Sequence, residues 1–238
     1  MRDSPRCGTA SQEIQGGFLD TILNTVALLV GLLIGITVHE CAHAWTANQL
    51  GDPTARYLGR ISLNPIVHLD PVGTLLMLFS LLSGFGIGWG KPTPVNPVYL
   101  KYGPRTGMAL VAVAGPISNI TVAVLFAIPW RLADLGLPLP GELATLIFFV
   151  VSANISLCIF NLLPIPPLDG FSVLVGILSQ IRGRWSYQVI QWLRVVEAQG
   201  PLVLIAILAM SYVLPGPGIL GRLMLPPYLM LRRLILGI

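Results

Sequence analysis

Charge is what this sequence has least of. Only 10% of its 238 residues are Asp, Glu, Lys or Arg, against 54% hydrophobic, whereas a soluble domain carries roughly a quarter charged residues. The mean hydropathy is +0.79. High hydrophobicity with little charge excludes an intrinsically disordered chain, which needs the reverse. Cysteine is also scarce. Three residues, Cys7, Cys41 and Cys158, are too few and too far apart for a disulfide-rich scaffold. Glycine and proline are plentiful, at 25 and 20 residues, but without the G-X-Y period of collagen. A large excess of one charge sign is missing too. The formal net charge is +4, and the basic residues are scattered between apolar blocks. That pattern belongs to membrane topology, not to nucleic-acid binding. The sequence shows no internal repeat, low-complexity tract or soluble-domain insertion.

Long apolar runs are what is present. About 20 apolar residues cross the hydrocarbon core as a helix. The first run starts at Phe18, stays apolar to Val38 and continues as helix to about Leu50, where Gly51-Asp52-Pro53 stops it. The polar lead before it, with Arg2 and Arg6, resembles a signal peptide only superficially, and the run is expected to be retained. The second run, Val72 to Trp89, is marginal in length. Gly84, Gly86 and Gly88 weaken helix in its second half, which fits either a span or a re-entrant segment. Thr106–Trp130 and Leu143–Leu163 are long enough to cross. Phe171–Leu178, Pro201–Leu214 and Ile219–Ile238 are shorter or flanked and broken by proline. Arg182–Glu197 mixes arginine with Trp185, Tyr187 and Trp192, as a membrane-interface helix does. The expected architecture is an all-α polytopic membrane protein with about five or six membrane helices. It would include a re-entrant segment and a small extended or β element near the site. Residues 1–17 would be a tail, 18–181 the core, and 182–238 the interfacial helix with the last membrane helices.

Two of the three histidines stand in His39-Glu40-Cys41-Ala42-His43. On a helix, positions i and i+4 share a face. Both imidazoles can therefore reach one zinc ion, with Glu40 beside them to take a proton from water. Almost everything from Leu28 to Val38 is apolar, so these ionisable groups lie at or near membrane depth, where such groups are expensive and functional by default. Two histidines leave a catalytic zinc site one ligand short. His68, Asp70, Asp52, Asp169 and Glu142 are candidates, and Asp169 is favoured. It ends the run Asn161-Leu-Leu-Pro-Ile-Pro-Pro-Leu-Asp169-Gly170, where Pro164, Pro166 and Pro167 prevent regular helix directly after a span. Unwound backbone at that depth must be buried in protein or line a cavity. The alternative for Asp169 is a helix cap. Cys41 occupies an unspecified position of the motif and is expected to pack.

HECAH followed by NLLPIPPLDG resembles the paired motifs of the site-2 proteases, intramembrane zinc metalloproteases. The resemblance runs from about Phe18 to Gly170. It implies one zinc ion held by His39, His43 and Asp169, Glu40 as general base, and Asn161 as a contact to substrate backbone. Gly115-Pro116-Ile117-Ser118-Asn119 resembles the family's G-P-x-x-N. That makes Asn119 a substrate-binding candidate, with a helix–helix contact as its alternative. Gly51-Asp-Pro-Thr-Ala-Arg56, Ser62-Leu63-Asn64-Pro65, His68, Asp70-Pro71 and Gly90-Lys-Pro-Thr-Pro-Val-Asn-Pro97 are similar to the compact subgroup, and no PDZ-like insertion is evident. His68 is a candidate substrate contact or partner of a ligand, or else a satisfied interfacial histidine.

For His43 and Asp169 to meet, the first and fourth runs must end on one side. They do so if Val72–Trp89 dips in and returns. Arg56, Arg60, Lys91, Lys101, Arg105, Arg182, Arg184 and Arg194 then share one side, and Arg131, Asp134 and Glu142 the other. The positive-inside rule makes the first side cytosolic. The Arg232-Arg233 pair marks another possible cytosolic end. Residues 54–66 and 91–99 read as extended, and either offer an edge to an unwound substrate or form a plain interfacial loop. The expected reaction is peptide hydrolysis in membrane-anchored proteins within the cell membrane. A metal transporter and a silent, substrate-binding relative are the rival readings.

Overall fold

A computed structural model of the chain describes residues 7–83, 90–213 and 218–238. The described part is helical: α1 (Cys7–Gln49), α2 (Thr54–Tyr57), α3 (Pro71–Ser83), α4 (Pro104–Ala133), α5 (Gly141–Asn161), α6 (Asp169–Gln180), α7 (Arg184–Ala198), α8 (Gly200–Val213) and α9 (Gly218–Leu236). Among the described residues, three stretches are long and apolar enough to cross a membrane: Leu19–Gln49, Pro104–Ala133 and Gly141–Asn161. The pair Arg184–Ala198 and Gly200–Met210, bent by 75°, makes a fourth if taken as one broken span. The five or six expected are not confirmed among the described residues, where α9 carries Pro226 and Pro227 in its interior. The crossing helices turn apolar side chains outward, as in Leu110, Ile117, Leu125 and Ile128 of α4, a surface that suits lipid.

Helix α1 meets its neighbours along one stripe. Ala27, Gly31, Gly35, His39, His43 and Ala47 follow at four-residue steps, and all are buried. The small residues let backbones approach. A methyl group added at Gly31 would strike Phe149 O and Val150 Cα of α5, and one at Gly35 would strike Leu157 and Asn154. Contacts therefore advance together along α1 and α5, and the two helices are parallel. Against α4 they run in opposition: Gly35 O is bonded by Asn119, and His43 by Val111 O. So α4 is antiparallel to both. A cluster of Ala123, Ala127, Ile147, Val151, Ile155 and Ile159 seals α4 to α5, and Ile235 and Leu236 of α9 join it.

Parallel α1 and α5 with α4 reversed between them require that the chain from Leu50 to Gly103 begin and end at one end of the bundle. The described part of α3 has 13 residues, fewer than a crossing helix needs. The glycines expected to break this segment, Gly84, Gly86 and Gly88, lie outside the described residues. So do Arg2 and Arg6.

The expected extended element is different in kind. Thr54–Tyr57 is a helical turn, Pro65–His68 and Pro97–Tyr99 are 3-10 turns, and among the described residues the only strand-like pairing is an isolated bridge between Leu69 and Gly90. Asn64 and Asn96 start the two 3-10 turns by accepting from the N–H two residues on, a local bond that competes with a strand. Arg232-Arg233 lies at the other end of the bundle from the basic residues near the end of α1. Arg131, in the last turn of α4, donates to Ile235 O at 3.0 Å and Leu234 O at 2.9 Å. The end of α9 is therefore far from the end where α1 finishes.

Candidate metal centre

His39 and His43 lie on successive turns of α1, on its buried stripe. Their Nε2 atoms are 2.9 Å apart. Asp169, in the first turn of α6, faces both: Oδ2 is 3.1 Å from His39 Nε2 and Oδ1 is 3.4 Å from His43 Nε2. The carboxylate arrives there because α5 stops at Asn161 and the proline-rich stretch reverses the chain. Gly170 allows the reversal, since a methyl group there would run into the carbonyls of Leu162 and Leu163. The capping alternative does not hold. The residue before α6 is Leu168, with no side-chain cap, and the Asp169 carboxylate points at the imidazoles.

The tautomers decide what this cluster can bind. His39 Nδ1 lies 2.7 Å from Asn119 Oδ1, and His43 Nδ1 lies 2.8 Å from Val111 O. Both partners are acceptors, so both Nδ1 atoms carry the proton. Each neutral imidazole then presents a bare Nε2 lone pair. Two lone pairs and a carboxylate converge on one point, and Asp169 Oδ2 is buried without a hydrogen-bond partner. Three ligand atoms within 4.8 Å of one another, all acceptors, repel unless a cation sits between them. Two histidines and a carboxylate are a zinc donor set that leaves a position for water. Gly115 completes the shape. A methyl group there would come within 2.5–2.6 Å of both rings.

Glu40 is placed by a residue the motif does not reveal. Its Oε2 accepts from Thr93 N at 2.8 Å and Thr93 Oγ1 at 2.7 Å. Thr93 belongs to the stretch Lys91–Asn96, which lies over the end of α1 as a strap. Two buried charged residues hold the strap on either side. Arg60 donates to the carbonyls of Val67, Lys91 and Pro92, and Asp52 accepts from Asn96 N at 2.6 Å and from Thr54. Arg60 is therefore a strut between loops, not a free basic marker of topology.

The three expected substrate contacts separate. Asn161 is half-buried at the end of α5, and its Nδ2 donates to Leu157 O at 2.9 Å. Asn119 is fully buried. It bonds His39 through Oδ1, and Gly35 O and Asn154 Oδ1 through Nδ2. It holds the His39 ring and has no face left for a substrate. His68 is fully buried as well, with Nε2 donating to Ser62 O at 2.8 Å. It ties its own loop together and cannot touch a substrate in this arrangement. Asn154 and Thr93 were missed by sequence reasoning. The stripe of small residues leading to His39 was the available signal for where α4 and α5 meet the site.

Comparison with known proteins agrees with this geometry. Residues 139–205, which hold Asn161, Asp169 and the proline-rich reversal, match the model of peptidase family M50. The chain is 42% identical over 143 residues to a Bacillus subtilis protein named "Putative zinc metalloprotease YwhC", covering 58% of this chain and 63% of that one. Over residues 139–205 the chain is similar to peptidase family M50. Two further relatives carry the name "Putative zinc metalloprotease Rip2". The Mycobacterium tuberculosis protein is 33% identical over 141 residues (58% of this chain, 52% of that one). The Mycolicibacterium smegmatis protein is 30% identical over 165 residues (66% and 59%). The chain thus spans between about half and two thirds of these relatives' length. No solved structure matches it.

Proposed function

We propose that this chain is an intramembrane zinc metalloprotease that hydrolyses peptide bonds in or near the transmembrane segments of membrane-anchored proteins. The observation that carries this reading is the convergence of two Nδ1-protonated imidazoles and a partnerless carboxylate oxygen among membrane-crossing helices. His39, His43 and Asp169 would hold one zinc ion, whose chemistry when bound is to act as a Lewis acid and lower the pKa of water towards about 7. Glu40, fixed through Oε2, takes a proton from the attacking water as the C–O bond forms, then delivers it to the leaving amine as the C–N bond breaks. Asn161 has a second N–H on Nδ2 to offer the developing oxyanion or the substrate backbone. The strap Lys91–Asn96, non-helical beside Glu40, is the short extended element along which an unwound substrate would lie.

The end of the bundle that holds the site is assigned to the cytosolic side of the cell membrane. Arg105 and Arg194 line one cavity there with Tyr102 and Gly103, while Arg131 pairs with Asp134 at the far end. The test uses a single-span membrane protein as substrate and compares wild type with Glu40→Gln at equal zinc content. Cleavage by wild type alone is expected. Binding without cleavage by either form, or zinc flux across liposomes without cleavage, would contradict the proposal.

A further inference from the structure

The orientation of His39 is set by a chain of groups that starts on α5, two side chains away from the ligand atoms. Asn154 and Asn119 are both fully buried. Asn154 Nδ2 donates to Val150 O at 2.8 Å, one turn back on α5. A backbone carbonyl can only accept, so the amide end of Asn154 is fixed there and Oδ1 must point the other way. Oδ1 accepts from Asn119 Nδ2 at 3.0 Å. The second hydrogen of Asn119 Nδ2 goes to Gly35 O, also at 3.0 Å. With its amide end committed to two acceptors, Asn119 can present only Oδ1 to His39 Nδ1. Each link has one permitted direction, and the last leaves the His39 lone pair on Nε2, facing Asp169. Gly35 makes the ladder possible. Its missing side chain is what lets Asn154 and Leu157 come so close to α1.

We infer that Asn154 is a positioning residue for the metal centre, acting through Asn119 to hold His39 as its Nδ1-protonated tautomer. The inference rests on the metal-binding reading of His39, His43 and Asp169, and deepens it. Groups that bond the non-ligating nitrogen of a metal-bound histidine change metal affinity by roughly 10- to 100-fold when removed, and Asn154 lies one residue further out. Leucine, similar in size, would delete both amide bonds at 154. Aspartate would keep an oxygen to accept from Asn119.

The experiment reads the tautomer directly. Full-length protein with 15N-labelled histidine, wild type, Asn154→Leu and Asn154→Asp, is examined by 1H–15N NMR in the metal-free state at about pH 9, above the ordinary imidazole pKa. Zinc affinity is measured in parallel by chelator competition. His39 is expected as a single Nδ1-protonated form in wild type and Asn154→Asp. In Asn154→Leu, where Gly35 O alone still holds the Asn119 amide, a second tautomer is expected beside the first, with zinc binding about 10-fold weaker. A single Nδ1-protonated form with unchanged zinc affinity in Asn154→Leu would overturn the inference. If that variant does not fold, mixed tautomers in Asn154→Asp, or an Nε2-protonated His39 in wild type, would do so equally. A wild-type protein that shows the expected tautomer but binds no zinc would instead overturn the metal-binding reading.

Discussion

Glu40 owes its position to Thr93, a residue 53 positions away in sequence. Two donors on one carboxylate oxygen hold the side chain in one rotamer and leave Oε1 for water. Thr93→Val keeps the backbone N–H bond and deletes the hydroxyl. A hydrogen bond to a charged group contributes about 1.5–3 kcal/mol. The expected outcome is a fall in kcat of about 10-fold or more, with zinc content and KM unchanged and recovery in Thr93→Ser. Equal loss in both variants would point to packing instead. Gly115 makes the opposite kind of contribution, by absence. Overpacking costs about 1–3 kcal/mol. Gly115→Ala should therefore weaken zinc binding by roughly 10-fold or more, because the added methyl displaces both imidazoles at once. Chelator competition measures it.

At the scale of elements, the site is a junction of a helix stripe, a proline-broken reversal and a strap. The first two were legible in sequence. Helix period is local, so four-residue spacing put His39 and His43 on one face before any tertiary contact was known. Three prolines after a span forced the backbone to turn at membrane depth, which made Asp169 stand out. The strap was only half legible. Its prolines kept Lys91–Asn96 out of helix, as expected, but nothing local tells that Arg60, Glu40 and Asp52 would supply its partners. Those contacts depend on how distant loops stack on the end of α1. The same holds for Asn119, whose place in a helix was clear and whose task, bonding His39, depends on the register between α1 and α4. Asp52→Ala tests the strap as an element. It strips the acceptors from Asn96 N–H and Thr54 N–H, each costing about 1–3 kcal/mol if left unpaired. Limited proteolysis should then cut within residues 91–97, where wild type resists, and cleavage of a membrane substrate should fall although zinc stays bound.

For the whole molecule, parallel α1 and α5 place His39 and His43, near the end of α1, at the same end of the bundle as Asp169, which starts α6 just past the end of α5. They require an even number of crossings, or none, between Leu50 and Gly103. Both segments flanking the undescribed stretch return to the same end: Leu69 meets Gly90, and Lys101 N bonds Leu50 O. Single cysteines at Asn64, Asn96 and Asp134, introduced after replacing Cys7, Cys41 and Cys158, should label from two sides. Asn64 and Asn96 are expected to react together from the cytosolic side, and Asp134 from the other. Labelling of Asn64 and Asn96 from opposite faces would break the topology. The central claim is that one zinc ion is held by His39, His43 and Asp169. X-ray absorption at the zinc edge of the purified chain tests it most directly. The account predicts two imidazole nitrogens at about 2.0–2.1 Å and carboxylate oxygen at about 2.0–2.2 Å, with the spectrum altered or zinc lost in Asp169→Asn. A sulfur neighbour at about 2.3 Å, or an unaltered spectrum in Asp169→Asn, would contradict it.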